Sequence, residues 1–103
     1  MAGEDSFLDF VLEQLDGLHG VRSRAMFGGH GIYLEDVFFG IVNRERLYFK
    51  TDQGSCDRYV DRGMGPFRPN ERQTLRNYYE VPVDVLEDRD TLVVWALEAA
   101  CHS

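Results

Sequence analysis

In the first twenty positions the apolar residues recur at helical spacing. Phe7, Leu8, Val11, Leu12, Leu15 and Leu18 fall on one stripe, which predicts an amphipathic helix with a single core-facing side. Ser6 is read as its N-cap, with Asp9 three residues on in the capping-box position, and Gly17 as its stop. From Arg22 to Thr51 the pattern changes to strands. "VFFGIV" (Val37 to Val42) and "RLYFKT" (Arg46 to Thr51) are short runs of β-branched and aromatic residues. The connections "ED" (Glu35, Asp36) and "NRE" can join only antiparallel neighbours, because parallel strands need a long crossover. A three-strand meander is expected.

Beyond it, Asp52 to Arg62 is read as a short helix ended by Gly63, with Cys56, Tyr59 and Val60 facing inward. "GMGPFRPNERQ" is read as a loop anchored by Phe67. "LRNYYEV" (Leu75 to Val81) is a strand stopped by Pro82, which has no backbone donor. Asp88 or Asp90 caps a last helix whose wide apolar arc, Leu92, Val93, Trp95, Ala96, Leu97, Ala99 and Ala100, calls for deep burial. The order helix, three strands, helix, strand, helix indicates an α+β fold: two layers with a curved antiparallel sheet. At 103 residues, the chain is expected to form one domain over 1–103.

Strict alternation puts Val37, Phe39 and Ile41 on one face of their strand, and Phe38 and Val42 on the other. Three short helices hardly cover both faces of a sheet. Curled sheet edges, the loop around Phe67 or a second subunit must therefore shield Phe38 and Val42. A symmetric homodimer is the favoured cover.

"MFGGHGIY" supplies the densest glycine cluster: Met26, Phe27, Gly28, Gly29, Gly31 and Tyr33 frame it. A phosphate cradle needs such glycines between a strand and a helix N-terminus. The segment after this cluster is strand, and neither GxGxxG nor GxxxxGK[ST] is present, so phosphate binding is rejected. The glycines are expected to permit a bulge or tight turn, with a bulged or positive-φ backbone at Gly28 and Gly29 and no helix before Val37. A two-residue hairpin is the alternative.

Acidic residues outnumber basic ones 18 to 11, a formal charge of −7, which argues against direct nucleic-acid binding. Tyr33, Phe38, Phe39, Tyr48, Phe49, Tyr78 and Tyr79 could offer a stacking platform as RNA-binding sheets do. About half of them must enter the core, however, and no basic-glycine signature precedes "VFFG". The outward half suits a protein partner better. Arg58 and Arg62 share a helix face with Asp57 and Asp61, a mixed-charge, solvated pattern. Arg68, Arg72 and Arg76 flank a loop and are the preferred place for an acidic partner.

His19, His30 and His102 are too scattered to suggest a metal site, and His30 is expected at a sheet edge or partly buried. Cys56 and Cys101 match no metal or redox spacing and are expected reduced. Adjacent Cys101 and His102 cannot face each other on a helix. No catalytic, metal or cofactor site is expected. The N-terminus lacks the features of a signal peptide and no segment has the length of a membrane span, so a cytoplasmic location is expected.

"SRAMFGGHGIYLEDVFFGIVNRERLYFKT", then "GMGPF", "NYYEVP", "VLED" and "VVWALEAA", resembles the N-terminal domain of the TfoX/Sxy competence regulators over nearly the whole chain. That resemblance implies a small α+β domain with a helix-layered sheet, similar to secretion-chaperone-like folds. It implies a non-enzymatic bacterial protein tied to natural transformation and transcription, working through protein partners such as the transcription machinery. Full-length members add a C-terminal domain and are thought to act with the cyclic-AMP receptor protein. This sequence is expected to be a stand-alone copy of the first domain. The family supplies no catalytic residues.

Overall fold

The computed structural model describes residues 4–26 and 28–101. Its elements run in the order α1 (Glu4–Gln14), β1 (Val21–Met26), β2 (Gly29–Leu34), β3 (Val37–Asn43), β4 (Arg46–Lys50), α2 (Gln53–Val60), β5 (Pro66–Asn70), β6 (Gln73–Glu80), α3 (Val83–Leu86) and α4 (Arg89–Cys101). All strand pairs are antiparallel, in the order β1-β2-β3-β4-β6-β5. The fold is α+β, with the helices packed on one face of the open sheet.

Local chemistry accounts for most boundaries. Asp52 caps α2 through a reciprocal pair: its carboxylate accepts from the Ser55 amide at 2.7 Å, and Ser55 Oγ accepts from the Asp52 amide at 3.0 Å. Gly63 takes the left-handed conformation (φ 81°) after that helix, and the Met64 amide donates back to the Tyr59 carbonyl at 3.0 Å. Asp88 caps α4, accepting from the Thr91 hydroxyl at 2.9 Å. The β3–β4 turn holds Arg44 and Glu45 at φ 52° and 60°, two consecutive left-handed residues as in a type I′ hairpin.

Four sequence expectations are corrected. α1 already includes Ser6, which is therefore inside the helix rather than its cap. The meander has four strands, because "VRSRAM" ahead of the glycines is β1. The loop around Phe67 contains β5: its two prolines hide the strand signal, yet an edge strand tolerates them. Pro82 does more than stop β6, since it stands at the N-cap of α3.

The main core lies between helices and sheet. Leu8, Val11 and Leu15 of the first helical segment, Tyr59, Val85, Leu86, Leu92, Trp95, Ala96 and Ala99 meet Ile32, Phe39, Val42, Leu47, Phe49 and Val81. Gln14, buried among them, is satisfied by donating to the Leu86 carbonyl at 3.0 Å. Not all of the expected inward residues arrive there. Val60 of α2 is exposed, and so is Leu97 of α4, which buries a narrower arc than its composition suggests.

The face assignment in β3 is also corrected. Ile32 pairs with Gly40 but Tyr33 with Phe38, which leaves Phe39 as an extra residue. This bulge resets the alternation: Phe39 and Val42 both point under the helices, whereas Phe38 and Ile41 point to the helix-free face. There Ile41, Phe67 and Tyr78 form a second buried cluster, flanked by Phe38, Tyr48 and Leu75. The segment around Phe67, one of the three shields expected for this face, covers part of it from within the chain.

Candidate interaction surface

The registers fix what the helix-free face displays. Arg22 and Arg24 of β1 stand opposite Tyr33 and Gly31; Ile41 stands opposite Tyr48, Asn43 opposite Arg46, Tyr48 opposite Glu80, and Lys50 opposite Tyr78. Aromatic rings tile its middle. The centroids of Tyr33 and Phe38 are 5.2 Å apart, those of Phe38 and Tyr78 5.6 Å, and those of Tyr48 and Phe67 4.7 Å. Tyr33, Phe38 and Tyr48 are half-buried, so each keeps part of its ring open.

Basic groups surround these rings. Arg46 makes a two-point contact with the Glu80 carboxylate at 2.9 and 3.1 Å. Arg22 donates to the Glu35 carbonyl at 2.8 Å and to Asp36 at 3.1 Å. Burial raises the Tyr48 pKa, and Glu80 adds to the rise while Arg46 and Arg44 oppose it. Burial likewise raises Tyr78, with a contribution from Tyr33. Both phenols are therefore neutral donors at physiological pH.

Charge is partitioned between the layers. Eight of the eleven basic residues lie in the strands or the turns joining them, against five acidic ones; the helices and their flanking turns hold three basic residues against thirteen acidic ones. The strand layer therefore carries +3 and the helical layer −10. The overall charge of −7 describes neither surface.

The glycine motif turns out to shape this face. Met26 of β1 stands opposite Gly29 of β2, so the two strands form a tight hairpin, with Gly28 at φ 74°; Phe27 lies outside the described residues. Of the bulged or positive-φ backbone expected at Gly28 and Gly29, the positive φ is found at Gly28, and the motif is the hairpin alternative. Gly29 serves close approach instead, since a Cβ there would lie 2.1 Å from the Val42 carbonyl oxygen. A Cβ on Gly31 would meet Met26 Sδ and the Phe38 ring at 2.8 and 2.9 Å. Met26, Gly31, Tyr33 and Phe38 thus make one continuous patch.

The other predicted residues are dispersed. Val42 is fully buried under the helices, which withdraws it from the partner-facing set. Arg68 lines a hollow with Arg44, Asn70 and Glu71, and Arg72 sits in the β5–β6 turn. Arg76 lines a different hollow with Asp52, Gln53 and Cys56, so the three arginines do not form one site. Arg58 and Arg62 are structural: both guanidiniums lie over Trp95, at 4.2 and 5.4 Å from the ring centroid, while pairing with Glu98 and Asp84. His30 is half-buried on an interior strand rather than at an edge. Arg22 and Arg24 escaped the sequence reading, although the alternation in "VRSRAM" already set both on one side of a strand.

Among the described residues, no cluster of three or more His, Cys, Asp or Glu could hold a metal, and no helix is long and apolar enough to cross a membrane. The family model of the TfoX N-terminal domain matches residues 13–102. The chain is also 31% identical over 80 residues to DNA transformation protein TfoX1 of Aliivibrio fischeri (strain ATCC 700601 / ES114), a match covering 76% of this chain and 36% of that relative. It thus spans little more than a third of the relative it matches. With the family model matching nearly the whole fold, the chain belongs to the TfoX N-terminal domain family.

Proposed function

We propose that this chain is a non-enzymatic, cytoplasmic regulatory module of DNA transformation that acts through protein contacts, the transcription machinery being the expected recipient. The observation that carries the reading is the similarity to a DNA transformation protein, which covers 76% of this chain. The surface chemistry supports it. Phe38, Tyr33 and Tyr48 offer partly open rings on a face free of helices, ringed by arginines, and aromatics with arginine are the side chains that most often anchor protein interfaces. Deleting the gene in its source bacterium tests the proposal. Transformation frequency and competence-gene transcripts should fall and return on complementation; an unchanged frequency would refute the regulatory role.

One observation favours a second reading, in which the strand layer binds single-stranded nucleic acid. Its charge of +3 around aromatic rings suits a phosphate backbone better than the overall charge does. Titrating oligothymidylate at two salt concentrations decides it: binding that weakens steeply with salt supports this reading, and no binding at low salt removes it.

A further inference from the structure

The two edges of the sheet are built differently. β5 carries Pro66 and Pro69, and its register against β6 shifts twice, devices that blunt an edge against further pairing. β1 has no proline, and its register runs unbroken from Val21 opposite Leu34 to Met26 opposite Gly29. The Glu35 amide donates to the Gly20 carbonyl at 2.7 Å, so those two residues form a hydrogen-bonded pair. Alternation then makes Arg22, Arg24 and Met26 the residues bonded to β2. The amides and carbonyls of Val21, Ser23 and Ala25 point the other way, along the open edge. No backbone hydrogen bond among the described residues reaches them, and Arg22, Ser23, Arg24 and Ala25 are all exposed.

The charge along this edge selects what can pair with it. Arg24 has no carboxylate partner among the described residues, and the Arg22 side chain stays 66% exposed despite its contact with Asp36. Both stand on the helix-free side, beside a hollow of about 370 Å³ that Tyr33 also lines, with Glu35 and Asp36 at the end nearer Arg22. We propose that β1 accepts an extended segment of a partner protein as a seventh strand, with carboxylates at alternate positions beside Arg22 and Arg24. The intervening residues of that segment, beside Ser23 and Ala25, are small or apolar. This rests on reading the chain as a protein-binding module and names the chemistry of its partner. A second copy fits worse: symmetric antiparallel pairing of β1 with itself brings residues of the same parity face to face, arginine against arginine.

The test uses the whole chain, isotope-labelled, and two capped seven-residue peptides in which valines alternate with glutamates or with lysines. The glutamate peptide should slow hydrogen exchange at the Ser23 and Ala25 amides and bind at least about tenfold tighter than the lysine peptide, the tenfold ratio corresponding to about 1.4 kcal/mol. Ala25→Pro removes an outward amide while leaving the β1–β2 ladder intact, and should abolish binding; Arg24→Glu should invert the peptide preference. Equal binding of both peptides, or protection confined to residues away from β1, overturns the proposal. So does a concentration-dependent dimer that protects the same two amides, or displacement of the peptide from them by oligothymidylate. If Ala25→Pro does not fold, exchange in the parent protein decides alone. Loss of transformation on gene deletion without glutamate-peptide binding would reject the edge and keep the regulatory role; the opposite pair of results would do the reverse.

Discussion

The two faces of the sheet solve the same problem by different means. Beneath the helices, sixteen buried residues drawn from both layers form one core, with Trp95 and Tyr59 in edge-on contact at 4.9 Å between centroids. On the other face, among the described residues, no helix packs, and the buried cluster of Ile41, Phe67 and Tyr78 is sheltered by the neighbouring Phe38, Tyr48 and Leu75. The difference shows that a small domain can bury apolar groups on both faces of a sheet without a third layer, where a bulge redirects side chains and neighbouring rings cover them. It also separates roles: the thick core supplies cohesion, while the thin cluster leaves aromatic surface available to a partner.

The greatest loss of stability is expected on the thick side. Trp95→Ala removes the ring that packs on Tyr59 and carries both Arg58 and Arg62, and should lower the unfolding free energy by about 3–5 kcal/mol in urea titration. A loss under about 1 kcal/mol would mean that α4 does not dock as described. On the thin side, Phe67→Ala should cost about 3 kcal/mol, at the lower end for a buried phenylalanine because an edge strand can settle into the gap. Equal losses in the two variants would show that both clusters belong to one cooperative core.

The glycine hairpin probes the contrast from another direction, since it joins the two faces. Gly29→Ala should cost about 1–3 kcal/mol because its methyl group would collide with the Val42 carbonyl. Gly28→Ala, where space is open but φ is 74°, should cost only about 1 kcal/mol. The reverse ranking in thermal or urea unfolding would place the steric constraint in the turn instead.

A subtler difference appears in alkali. Burial pushes the Tyr59 phenol far above its ordinary value, with Arg58 only partly opposing it. The folded state then holds a proton that the unfolded chain releases, so stability is unaffected below about pH 10 and falls above it, by roughly 1.4 kcal/mol per pH unit for one such group. Tyr59→Phe should flatten that decline. An unchanged slope in the variant would assign it to Tyr48 and Tyr78 on the thin side, both also raised by burial.

Elements whose signals are local were legible in the sequence. The stripe that starts at Phe7 made an amphipathic helix, though the helix ends at Gln14, short of Gly17 and Leu18; two-residue polar connections forced antiparallel neighbours, and Asp52 and Asp88 marked helix starts because their carboxylates bond the first free amides. The glycine run pointed to a turn rather than a phosphate site for an equally local reason: no helix comes after it. The faces, by contrast, were settled by tertiary packing. Alternation counts every residue equally, but Phe39 is an extra residue in β3, and that bulge turned Val42 toward the helices and Ile41 into the second cluster. The same holds for charge. A formal −7 is a sum over the chain, whereas the field at a surface depends on which element carries each group, and packing all four helices on one face put most of the negative charge there and left most of the arginines with the strands.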